Sequence, residues 1–70
     1  MSDKAKECLL LWMIKYGDRV ITFGELVALY DIYADYWAEI RPYYKIVHNI
    51  KHFELNDAAR RILTEVLDEQ

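Results

Sequence analysis

A lone cysteine, Cys8, in a chain of seventy residues limits this fold more than any other feature. One thiol closes no internal disulfide and builds no cysteine-rich zinc site, the staples on which many small domains depend. A hydrophobic core of this size supplies only roughly 3–5 kcal/mol, so a chain without staples is expected to lean on a partner. The reading that follows is one domain over residues 1–70, reduced and therefore cytoplasmic.

The N-terminus carries no small-residue cleavage site. The longest apolar run, Cys8 to Ile14, falls far short of the roughly 20 residues that span a bilayer, so neither a leader nor a membrane anchor is expected. Scarce Asn, Gln, Gly and Pro beside abundant Ile, Tyr, Glu and Lys fit a thermophile. The net charge of −3 hides a strong asymmetry. From Asp18 to Glu39 five carboxylates face Arg19 alone, whereas from Arg41 to Arg61 five bases face Glu54 and Asp57. Beyond Arg61 the chain turns acidic again with Glu65, Asp68 and Glu69. A cationic surface must therefore come from the Arg41–Arg61 segment together with Lys4, Lys6 and Lys15.

Residues 3–16 are expected to be helical, capped by Ser2 or Asp3 and ended at Gly17 in a left-handed conformation. Leu9, Trp12, Met13 and Tyr16 form one apolar face at helical spacing, and Leu10, Leu11 and Ile14 form a second. A helix apolar on two sides needs two covers, and the second is expected to be another copy of the chain. Val20 to Phe23 is β-prone, and Thr22 with Glu25 has the spacing of a capping box that opens the next helix. Two readings exist beyond it. With neither Gly nor Pro between Glu25 and Arg41, one long helix over 23–41 gives a small all-α bundle. Alternatively, the helix breaks at Asp31 in a left-handed backbone, Ile32 plugs the corner, and a further helix spans Ala34 to Arg41. Alternation of His52, Phe53, Glu54 and Leu55 predicts a strand, paired with Tyr44, Ile46 and His48 across a turn near Asn49. The competing reading is a helix opened by Pro42. Asn56 then caps a final helix whose face is Ala59, Ile62, Leu63, Val66 and Leu67.

The stretch "ITFGELVALYDIYADYWAEI" places Leu26, Tyr30, Ile32, Trp37 and Ile40 at the buried positions of a helix-turn-helix unit, and "FELNDAARRILTEVL" has the outline of a last wing strand with its closing helix. Over nearly the whole chain the sequence resembles the winged helix-turn-helix domains. The resemblance implies a mostly α fold with a small β-hairpin (α+β). It also implies a small transcription regulator that binds duplex DNA as a homodimer. Under it, Arg41, Lys45, His48, Lys51 and His52 would contact phosphates from the wing, with Tyr33, Asp35, Tyr36 and Glu39 facing the groove. Carboxylates on that helix suit base edges poorly, so any DNA affinity is expected to be modest and steeply salt-dependent.

No catalytic constellation is visible. The two glycines, Gly17 and Gly24, make no phosphate loop, and no Ser or Cys sits plausibly beside a His base. His48 and His52 match H-x-x-x-H, but the glutamate of that motif is missing. In a strand the two rings would lie far apart, so no metal site or cofactor is expected. Cys8, inside an apolar helix, reads as an inert core residue. A non-enzymatic binding role remains. Besides DNA, it admits an accessory subunit of a replication or transcription complex that docks on a basic protein through Tyr33, Asp35, Tyr36 and Glu39, with Leu10, Leu11 and Ile14 as the dimer contact.

Overall fold

The computed structural model describes residues 1–68, and Glu69 of the acidic tail lies outside them. Helix α1, Asp3–Tyr16, opens on Ser2, whose hydroxyl accepts the Ala5 amide, and closes on Gly17, whose N–H donates to the Met13 carbonyl at 2.8 Å. Gly17 has φ 71°, a region in which a side chain would be strained. Ala5, Cys8, Leu9 and Trp12 form the buried stripe of α1. Leu10 and Leu11 are half-buried against the same core, so only Ile14 of the expected dimer set, 73% exposed, stands clear of it. The second face is narrower than the sequence implies because neighbouring elements wrap around the helix.

Strand β1 is Ile21–Thr22, and α2, Phe23–Tyr33, follows without a loop. Thr22 and Glu25 form the expected capping box: the Thr22 hydroxyl accepts the Glu25 N–H at 3.2 Å, and the Glu25 carboxylate accepts the Thr22 N–H at 2.8 Å. Arg19 adds a charged hydrogen bond to the same carboxylate at 2.9 Å. That bond, then the one from the Thr22 backbone, holds the Glu25 pKa down at about 2.

Beyond α2 both sequence readings need correction. Asp31 stays inside the helix, no left-handed residue occurs there, and Ile32 is exposed rather than plugging a corner. Nor is there one helix over 23–41. Tyr33 (φ −119°, ψ 27°) and Tyr36 (φ −111°, ψ 5°) leave the helical basin on either side of a 3₁₀ turn, Ala34–Tyr36, before the short α3, Trp37–Ile40. A straight 19-residue helix would run roughly 28 Å against roughly 21 Å for α1, so the bend keeps both α2 and α3 packed on α1. Because α2 reaches Tyr33, its buried stripe is Leu26, Leu29 and Tyr33, and Tyr30 is left exposed.

A second 3₁₀ turn, Arg41–Tyr43, leads into strand β2, Tyr44–Val47, which pairs antiparallel with β3, His52–Leu55. This hairpin overturns both the all-α bundle and the helix opened by Pro42. Strand β1 pairs with the other edge of β3, giving a three-stranded sheet in the order β1-β3-β2. The fold is mostly helical with a small antiparallel sheet, an α+β architecture. Asn56 caps α4, Asp57–Asp68, by accepting the Ala59 N–H at 3.0 Å, and α4 buries Ala59 and Leu63. Arg60 ties α4 to its surroundings through Asp18 and Glu54 at 2.9 and 3.3 Å, and pairs within the helix with Asp57 at 3.1 Å.

The turn between β2 and β3 is unusual. His48, Asn49 and Ile50 all have positive φ (51°, 58° and 63°), and a β-branched residue in that region is a true outlier. His48 accordingly belongs to the turn and not to the strand.

Two measurements check this account. Ile50→Gly should stabilise the chain by about 1 kcal/mol in urea unfolding, because glycine accepts the left-handed backbone that isoleucine resists. Glu25 has a depressed pKa, so its contribution is complete above the ordinary carboxylate range and disappears as pH falls from about 4.5 towards 2. Glu25→Gln should flatten the acid limb of a thermal-unfolding series in that window.

Candidate binding surfaces

The aromatic side chains form a connected set. Tyr44 meets Trp12 at 5.8 Å and Trp37 at 5.9 Å with tilted rings and Phe53 edge-on at 5.8 Å, and its hydroxyl accepts the Trp37 indole N–H at 3.2 Å. Trp37 in turn meets Tyr30 edge-on at 5.3 Å, and Phe23 lies 6.3 Å from Phe53. Trp37 and Tyr30, both expected in the core, instead stand at its edge: Trp37 is half-buried and Tyr30 exposed.

Together they wall an open apolar groove of about 430 Å³ lined by Phe23, Leu26, Val27, Tyr30, Asp31 and Trp37. Phe23 is 62% exposed within it. A signal for this surface lies in the sequence. Phe23, Val27 and Tyr30, at spacings of four and three, form a second apolar stripe on α2 beside Leu26, Leu29 and Tyr33.

The predicted partner-binding set does not survive as one face. Tyr33 is buried and 5% exposed, and its hydroxyl donates to Glu7 on α1 at 2.8 Å. Burial, then that carboxylate, pushes its pKa up to about 12. Tyr36 is half-buried against the core, and Glu39 accepts the Ser2 amide at 2.8 Å, the main cause of its lowered pKa. Of this set only Asp35 is both exposed and without a side-chain hydrogen bond or ion pair among the described residues. Beside the groove, Asp31 is likewise exposed and unpaired among them, whereas Glu25 is engaged by Arg19.

The predicted phosphate-contacting set is brought together only in part. Lys45, His48, Lys51 and His52 all belong to the hairpin, but Lys45 faces Glu54 across the strands at 3.9 Å. Arg41 lies in the turn before β2, exposed and without an ion pair among the described residues. The rings of His48 and His52, expected to be far apart, lie 5.4 Å apart at an interplanar angle of 88°. The turn returns the chain, so residues four apart meet at its base.

Cys8 is buried, and desolvation, with the nearby Glu7 charge, pushes its thiol up to about 12, which leaves it an inert core residue. No group of three or more metal-ligating side chains occurs among the described residues. No helix among them is long and apolar enough to cross a membrane. No family model, curated protein or solved structure matches the chain.

Tyr33→Phe removes one partly buried hydrogen bond and should cost about 1 kcal/mol in urea unfolding. Alkaline titration followed by tyrosinate absorbance should show one phenol ionising near pH 12, a step that Tyr33→Phe removes.

Proposed function

We propose that this chain is a non-enzymatic binding module of the winged-helix type, and that its groove between α2 and α3 holds an apolar, basic helix of a protein partner. The observation that carries the reading is the aromatic groove itself. Open apolar surface walled by Tyr and Trp is the composition of interface centres, which bury large area at low rotamer cost. An open apolar groove along a helix suits an amphipathic helix with anchors at i, i+3 or i+4 and i+7. Asp31 in the lining and Asp35 beyond it, both without cationic partners among the described residues, favour lysine or arginine on the incoming helix. The helix order and the β1-β3-β2 sheet support the winged-helix assignment.

Duplex DNA is the second reading, favoured by the clustering of Lys45, Lys51, His48 and His52 on one hairpin with Arg41 at its base. It supports phosphate contact without base readout. The 3₁₀ turn Ala34–Tyr36 and the short helix α3 expose Ala34, Asp35, Ala38 and Glu39, none of which donates to a base edge.

Selection of helical peptides from a displayed library against the full chain, counter-selected with Val27→Asp, tests the first reading. Enriched peptides should carry an i, i+3 or i+4, i+7 apolar pattern with added lysine or arginine, and should lose at least about tenfold in affinity for the variant. A random duplex measured alongside by fluorescence anisotropy, at low and physiological salt, tests the second. Duplex binding that weakens steeply with salt, combined with no peptide that distinguishes the variant, would replace the protein reading with the DNA one.

A further inference from the structure

The geometry points to a zinc-type metal site at the end of the hairpin, built by His48 and His52 and independent of the groove. The two imidazoles are brought to 5.4 Å between centroids by a turn that holds three consecutive residues in the left-handed region. That separation suits two rings sharing one ion at Zn–N distances of about 2.0–2.1 Å. The left-handed backbone costs free energy at each of these residues, and strain of this kind persists where the surroundings or a ligand select it.

A second observation points the same way. Nδ1 of His52 is buried and has no hydrogen-bond partner among the described residues, a state that buried polar atoms rarely keep without an unfilled role. His52 is fixed in the central strand between Thr22 and Val47, whereas His48 is exposed, so one ligand is positioned and the other is free to adjust. Neutral imidazole pairs favour borderline ions such as Zn²⁺ over Mg²⁺ or Ca²⁺, which prefer oxygen.

The remaining positions of a tetrahedral shell would be water. Glu54 points to the same face of β3 two residues on, but it is already engaged by Lys45 and Arg60 and supplies no free third ligand. The nearby Lys45 and Lys51 oppose a cation. Affinity is therefore well below that of a closed four-ligand site. A bound ion would hold the turn and add positive charge to the hairpin.

Zinc chloride titrated into the full-length chain at neutral pH, followed by calorimetry and by the histidine ring signals in NMR, tests the site. Saturable binding of no more than one zinc per chain is expected, with both histidines shifting together. His48→Gln, at an exposed position that leaves the core untouched, should weaken binding by at least about tenfold while circular dichroism stays unchanged. Cys8→Ser should bind zinc as the parent chain does. Absence of saturable binding up to millimolar zinc, or binding that survives His48→Gln, would overturn the assignment.

Discussion

The contacts of Tyr44 are what the other elements of this small fold depend on. Its ring lies against Trp12 in the centre of α1, Trp37 at the start of α3 and Phe53 in the middle strand, and its hydroxyl holds the Trp37 indole. Each aromatic pair is worth about 0.5–1.5 kcal/mol beyond the area it buries. In a domain with a few kcal/mol of stability, that is a large share. The network also fixes Trp37, and with it the wall that Tyr30 completes. The hairpin is thereby joined to the helices, and the groove is a consequence of the core rather than an addition to it.

The same small core leaves imperfections visible. The indole N–H of Trp12, fully buried, has no acceptor, a state that costs about 1–3 kcal/mol. The three left-handed residues of the hairpin turn add strain, and Ile50, at their end, exposes 79% of its surface. Trp12 fills the centre of the core and meets Tyr44 there at 5.8 Å. Nothing in the packing explains Ile50. Strain and exposed apolar surface therefore coincide at the hairpin end, beside the paired histidines.

Charge is redistributed by folding. Along the chain an acidic third precedes a basic one, yet Asp18 and Glu54 are gathered on Arg60, Glu25 on Arg19 and Glu39 on the Ser2 amide. Arg60, the base with the most partners, is thus withdrawn from any cationic surface. Among the described residues Asp31 and Asp35 remain as carboxylates without an ion pair near the groove, and Arg41 and Lys51 as cations without one towards the hairpin. The acidic helix of the linear pattern is reduced to two side chains, which is enough to bias a partner's charge and too little to define a face.

Features that depend on nearest neighbours along the chain were legible in the sequence. Ser2, Thr22 with Glu25, and Asn56 each cap a helix because a short polar side chain needs only the amides two or three residues ahead. Phe53 and Leu55 alternate because a strand has a period of two, and α4 shows its apolar face because a helix has 3.6 residues per turn. Tertiary structure alone decided where α2 ends, since neither Gly nor Pro marks the bend and Tyr33 leaves the helix to bury its ring beside Glu7. It also decided which apolar stripe of α2 becomes core and which becomes groove, because two stripes of similar hydrophobicity competed for one cover. The meeting of His48 and His52 was decided in the same way: spacing of four brings side chains together on a helix, and here the backbone turn at residues 48–50 brings them together instead.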